Sequence, residues 1–263
     1  MDAASFLKVV REKQPLVHHL TNWVTIYECA QVVKSFGASP VMAHAINEVA
    51  DMAGIASALV LNIGTLTAEF VDSMKAAARA ANKKGAPVVL DVCGAGATAF
   101  RDRMSFELID ETKIGVVKGN ASEIARIAGR DVRTRGVDAA EVKESLRDIA
   151  ASLASQRGCV VVITGEEDIV AGSGALYTVN NGHEIMAHVV GTGCMAASVI
   201  GTFAGAAPDR LAEAAAAGLA CYEVAAELAA EDCGGPGTFN ACLFDRIHRL
   251  TASAVTARQK VSA

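Results

Sequence analysis

PVVLDVCGAGAT, residues 87–98, is an apolar run that ends on an acid and then breaks into glycines. Four to five apolar residues bounded by turn signals read as a strand buried on both faces. Asp91 is badly placed for packing there. It stands at the carboxyl end of the run, where open α/β sheets bind their ligands. Two readings follow from position alone. Asp91 caps the next turn, or it holds a hydrated Mg²⁺.

Working outward, further short apolar runs lie at 39–42, 58–63, 115–118 and 159–164. Helical patterns alternate with them near 24–36, 46–55, 68–84, 121–128 and 139–155. This alternation predicts crossover units and a mostly parallel sheet, hence an α/β fold. Runs at 168–171 and 175–179, joined by Gly-Ser-Gly, predict a hairpin. Residues 1–15 predict a short amphipathic helix, and three more helices are expected to start near 194, 208 and 236. No linker is visible, so a single domain over residues 1–263 is expected.

Composition narrows the function classes. A net charge of −5 and the lack of a basic block argue against nucleic-acid binding. The seven cysteines are odd in number and form no CxxC, which argues against a disulfide framework and for a reducing, cytoplasmic setting. The N-terminus has no cleavable signal pattern. The uncharged stretch 189–207 carries four glycines and few large side chains, and it reads as a buried helix rather than a membrane span.

Other strand ends carry chemistry-bearing residues. Gly191-Thr-Gly-Cys194 opens an apolar helix, so its amides and the helix N-terminus suit a phosphate or a developing oxyanion; the plainer reading is a tight turn. Lys118-Gly-Asn-Ala-Ser-Glu123 offers a cation, although a polar cap followed by an acid is also ordinary helix-start chemistry. Thr164-Gly165 offers a hydroxyl and an amide, or only a turn. His183-Glu-Ile-Met-Ala-His188 has the wrong spacing for a zinc site. His18 and His19 are either satisfied loop histidines or groups near the site. No GxxxxGK[ST] and no strand-borne GxGxxG occurs, which excludes P-loop and dinucleotide fingerprints.

Taken in order, PLVHHLTNWV at 15–24, GASPVMAHA at 37–45, LVLNIGTL at 59–66, GAGAT at 94–98, KGNASEI at 118–124, VITG at 162–165 and GTGC at 191–194 resemble the hydroxyethylthiazole kinase family. The resemblance implies a ribokinase-like, three-layer α/β/α fold. It implies phosphoryl transfer from ATP to the hydroxyl of 4-methyl-5-(2-hydroxyethyl)thiazole, with Mg²⁺, and a homotrimer whose sites lie between subunits. It implies no nucleic-acid or membrane partner. On matching positions it implies thiazole contacts from Met42, Gly64 and the Gly191 backbone, and ATP-phosphate contacts from Lys118, Thr164 and Gly165. Asn22 would reach a neighbouring subunit's site and bind ATP there. Asp91 and Glu123 would serve Mg²⁺, while Gly193 and Cys194 would serve catalysis. Cys194 stands where most ribokinase-like enzymes carry an aspartate.

Two departures from the family pattern stand out. Lys118 replaces the usual arginine and loses a bidentate phosphate grip. Asp91-Val-Cys replaces the usual Asp-Pro-Val and relaxes the backbone after the acid. Other functions compatible with these residues are a sister kinase for a pyrimidine alcohol, a non-catalytic nucleotide-binding protein, and an ADP-dependent dehydratase, which would carry aspartate at 194.

Overall fold

The computed structural model describes residues 1–130, 145–172 and 174–263. The chain opens with α1 (Ala3–Lys13), β1 (Leu16–Leu20), α2 (Ile26–Ser35), β2 (Ser39–Val41), α3 (Val49–Ile55) and β3 (Ala58–Asn62). It continues with α4 (Ala68–Lys84), β4 (Val88–Asp91), α5 (Ala99–Glu111), β5 (Val116–Asn120), α6 (Ala121–Ile127), α7 (Leu146–Arg157) and β6 (Val160–Thr164). A hairpin of β7 (Asp168–Gly172) and β8 (Ala175–Val179) follows, then a 3-10 turn at Glu184–His188. The chain closes with α8 (Thr192–Ala206), α9 (Leu211–Asp232), α10 (Pro236–Arg249), α11 (Ala252–Arg258) and β9 (Val261–Ser262).

Among the described residues the strands form one sheet in the order β2-β1-β3-β4-β5-β6-β7-β8-β9. Pairing is parallel from β2 through β6 and antiparallel from β6 to β9. One face packs on α1, α2, α8, α9, α10 and α11, and the other on α3 to α7. The expected three-layer α/β/α architecture is therefore present. The sequence pattern missed four elements. In β1 the tandem His18-His19 masks a buried strand. In α5 the inward face carries Asp102 and Ser105, which blurs the helical period. The seven-residue α11 and the two-residue β9 are too short for a periodic signal. The helix expected at 139–155 is observed from Leu146 to Arg157, and its first part, 139–144, lies outside the described residues, as does Ser173 of the hairpin turn. None of the described helices is long and apolar enough to cross a membrane.

Register positions the site. Asn62 pairs with Asp91, and Asp91 with Lys118, across β3, β4 and β5. Residues two apart share a face of a strand. These three therefore continue the face on which Val60, Val89 and Val116 pack under α8 and α9. The valines bury against the helix layer, and the next step of the same stripe becomes a polar row beneath the start of α8. Helix α8 lies close to the sheet because Gly201 has no side chain: a Cβ there would fall 2.3 Å from Val60 Cγ2.

Candidate active site

The polar row is buried and nearly closed on itself. Asn62, Asp91 and Lys118 are at most 4 % exposed. Asn62 donates to Asp91 Oδ2 at 2.9 Å, and Lys118 Nζ lies 3.5 Å from the same oxygen. Burial pushes the Asp91 carboxyl up, to about 7, against the pull of Lys118. Burial also works against the Lys118 ammonium, but Asp91 and Glu123 outweigh it and hold its pKa above the ordinary lysine value. With an ammonium and an amide both aimed at Oδ2, an ion pair is the state the geometry supports. The other oxygen, Asp91 Oδ1, is buried and has no partner.

Above this row sits the turn that starts α8. Gly191 adopts φ +96°, and Gly193 comes so near Lys118 that a Cβ would lie 3.3 Å from Nζ. The ammonium therefore points at the amide-rich helix start. Cys194 Sγ accepts from Asn22 Nδ2 at 3.3 Å and Asn62 Nδ2 at 3.4 Å. A hydrogen bond from Cys93, with help from Thr25 and Lys118, pulls its thiol down to about 5 despite burial. The Cys93 thiol is pushed up in turn, because it donates to Cys194 and is itself buried. The surroundings of Cys194 thus favour the thiolate over the thiol at neutral pH, at the cost of basicity.

The geometry shows what several of the expected site residues already touch. Asn22 does not reach outward: its Oδ1 accepts from the Val24 and Thr25 amides and the Thr25 hydroxyl, each at 3.1 Å, and its Nδ2 serves Asn62 and Cys194. Its side chain completes the site of its own chain. The Gly165 amide donates to Asp168 Oδ1 at 2.9 Å. Thr164 remains available, since its hydroxyl has only a 3.5 Å contact with the Gly119 carbonyl. Glu123 has both carboxylate oxygens engaged by backbone amides. Its Oε1 accepts from the Gly94 amide and its Oε2 from the Asn120 amide, both at 2.7 Å, in a capping box. Gly64 uses its amide on Asn62 and its carbonyl on Arg101, each at 2.8 Å, and so borders the site with both polar groups engaged. Met42 is half-buried just beyond β2, at the same end of the sheet but toward its edge. There His44 packs edge-on against Trp23, which stacks on Phe70.

His18 and His19 are core residues on β1. His18 donates through Nε2 to the Ala43 carbonyl at 2.6 Å and so fixes the loop after Met42. Burial drives the His19 pKa down to about 3, so this ring is neutral. His183 caps the 3-10 turn and His188 ends it, and no group of three metal-ligating side chains occurs among the described residues.

Helix α5 supplies two residues the sequence reading missed. Arg101 donates to the carbonyls of Ile63, Gly64 and Cys93 at 2.8, 2.8 and 3.0 Å, tying the loop after β3 to the loop after β4. Asp102 accepts from the Gly96 amide at 2.6 Å and from Arg126 Nε at 2.9 Å. Thr98 was the local signal for this helix: its side chain caps the Arg101 amide.

A glycine turn at a helix start, a buried ammonium, a cysteine and a partnerless carboxylate oxygen thus converge at the carboxyl ends of parallel strands. Comparison with known proteins agrees with this reading. Residues 7–253 match the model of the hydroxyethylthiazole kinase family. The chain is 50 % identical over 255 residues to the hydroxyethylthiazole kinase of Methanosarcina mazei, covering 97 % of each protein. It is 49 % identical over 264 residues to that of Methanocella arvoryzae, covering 99 % of each. Its structure is similar to that of the hydroxyethylthiazole kinase protein from Pyrococcus horikoshii, with a TM-score of 0.90 and 37 % identity over 99 % of this chain and 98 % of that one. An ADP/ATP-dependent NAD(P)H-hydrate dehydratase from Bacillus subtilis shares the fold alone, with a TM-score of 0.57 and 15 % identity.

Proposed function

The chain belongs to the hydroxyethylthiazole kinase family, and from that premise we propose how its own residues carry the reaction. The enzyme transfers the terminal phosphoryl group of ATP to the hydroxyl of 4-methyl-5-(2-hydroxyethyl)thiazole, a salvage step toward thiamine. The observation that carries the assignment of roles is the Asn62–Asp91–Lys118 row beneath the turn at 191–194. Phosphoryl transfer depends mainly on positioning and on neutralising the phosphate oxygens. Lys118 supplies a fixed positive charge beside the amides of 191–194, which receive the transferring group. Thr164 offers its hydroxyl to the nucleotide phosphates. Met42 and the aromatic group of Trp23 and His44 flank the side from which a flat heterocycle would enter.

Mg²⁺ fits one place. Asp91 Oδ1 is a buried acceptor without a partner, which a cation or its water would satisfy. Mg²⁺ bound there would supply charge neutralisation to the phosphates. Glu123 adds negative charge nearby while it holds the Gly94 amide in place. We further propose that three copies of the chain assemble around the exposed apolar side chains of Trp23, Val24, Tyr27, Ile46 and Val190, near the site.

Incubation with Mg·ATP and a panel of small alcohols tests the assignment. The thiazole alcohol is expected to yield ADP and a phosphorylated product. Product from a pyrimidine alcohol but none from the thiazole would move the chain to the sister activity.

Cys194 has a narrower role in this scheme. Its thiolate accepts the proton of the attacking hydroxyl. A loose transition state places little demand on that base, so the gain lies at the low end of the usual ~10²–10⁴-fold. Cys194→Ala should therefore retain turnover within about 100-fold of the native enzyme. Cys194→Asp, which keeps an ionised acceptor for the Asn22 and Asn62 amides, should do better than alanine. Complete loss in the alanine variant, with ATP binding and melting temperature unchanged, would show the base to be indispensable.

A further inference from the structure

Helix α9 carries a buried tyrosine and a buried glutamate in succession. Tyr222 is 1 % exposed and Glu223 7 %, in a helix otherwise rich in alanine. Neither is a packing residue by choice, since burying a hydroxyl or a carboxyl costs free energy unless it is bonded. Consecutive helical residues point about 100° apart, so the two reach different places. Tyr222 donates its hydroxyl to the Thr192 carbonyl at 3.2 Å, inside the turn that begins α8. Thr192 is held from the other side as well, where its own hydroxyl donates to the Met186 carbonyl at 3.0 Å. Glu223 interacts with the carboxyl of Asp168, the first residue of β7, and its own Oε2 is buried without a partner. Asp168 in turn accepts the Gly165 amide at 2.9 Å.

We propose that Tyr222 and Glu223 are positioning residues for phosphoryl transfer, Tyr222 through the Thr192 carbonyl and Glu223 through Asp168 and the Gly165 amide. One helix thereby sets the relative placement of the two turns that flank the transferred group. This inference rests on the reading of 164–165 and 191–194 as phosphate-facing turns.

The chemistry of the acid pair fixes its state. Two carboxyls form a hydrogen bond only when one of them carries the proton. Lys118 lowers the Asp168 pKa, whereas Glu227 adds negative charge beside Glu223, and both influences favour Asp168 as the carboxylate and Glu223 as the donor. Both groups are pushed up, chiefly by burial, in keeping with a shared proton. Glu223 Oε2 is left buried without a partner, so packing alone gives no reason for an acid at this position. A glutamine would also fill the space and donate to Asp168.

The two residues should fail differently. The turn at 191–194 acts on the transferring group, so Tyr222→Phe should lower kcat about tenfold while the KM for ATP stays within about twofold. The turn at 164–165 faces bound nucleotide, so Glu223→Ala should raise the KM for ATP about tenfold. Glu223→Gln should restore it, because its amide donates where the acid did. Asp168→Ala should raise the KM as Glu223→Ala does, and combining the two should add little. Steady-state kinetics and melting temperatures of these variants test the proposal. It is overturned if Tyr222→Phe matches the native enzyme in kcat. It is equally overturned if Glu223→Gln is as impaired as Glu223→Ala, or if the Glu223 and Asp168 effects simply add. Native enzyme inactive on every alcohol would instead sink the functional reading beneath it.

Discussion

Gly191→Ala is expected to lower kcat/KM by at least about 10³-fold. Gly191 sits at φ +96°, where a side chain is strained by roughly 1–2 kcal/mol. A Cβ would also lie 2.6 Å from Thr25 Cγ2 and 3.1 Å from Thr25 Cβ. Thr25 is not free to retreat, because its hydroxyl and amide both donate to Asn22. Asn22 holds Cys194, so the clash propagates to the catalytic turn from two sides. Losing one oxyanion-type donor costs about 3–4 kcal/mol, and a displaced turn loses more than one amide. Gly191→Ala combined with Thr25→Ser removes the closest contact and should recover part of the activity, but not all, because φ is unchanged. Activity of Gly191→Ala within tenfold of native would show that the turn is not the phosphoryl site. Gly193 differs: its added Cβ would meet only the flexible end of Lys118, so its alanine variant should be the milder.

The strand ends were legible because an apolar run that stops at a polar residue is a local signal. β3 to β6 and the glycine turns around them could be found one segment at a time. The buried row was legible only in part. Asp91 and Lys118 stood out as strand-end charges, but their parity and register appear only when three strands are laid side by side. What the sequence hid was the side-chain partners. Asn22 meets Cys194 across 172 residues, and Tyr222 meets Thr192 across 30. No periodicity encodes such pairs. The same blindness left other partners out of view. The amide and carboxylate partners of Glu123 and Gly165, Gly94 and Asp168, could not be assigned from spacing. Asn22 was directed to a neighbouring subunit's site by the resemblance, and only the fold shows its side chain turned in toward Asn62 and Cys194. A tight set of internal hydrogen bonds is what separates a scaffold residue from a ligand-facing one, and that set is a property of the fold.

Lys118→Met should lower kcat/KM by about 10³-fold and should also destabilise the protein, and the two effects can be separated. Lys118 and Asp91 are 4 % and 1 % exposed, and they face each other at 3.5 Å. Removing one partner of a buried ion pair costs roughly 3–5 kcal/mol, because the other charge is stranded. Replacing both with neutral groups leaves no stranded charge. Lys118→Met combined with Asp91→Asn should therefore regain most of the lost melting temperature while its activity stays at the floor. Lys118→Arg, the residue usual in the family, keeps the charge and adds a bidentate grip on phosphate. It should retain turnover, with ATP bound at least as tightly. Asp91 is also the proposed Mg²⁺ acceptor, so the double variant is read for stability alone, and turnover is compared between Lys118→Met and Lys118→Arg. Urea denaturation and initial rates on the same preparations distinguish the outcomes. Native-like turnover in folded Lys118→Met would remove Lys118 from the phosphoryl site, whereas turnover kept by arginine and lost with methionine in folded protein would place its charge on the transferring group.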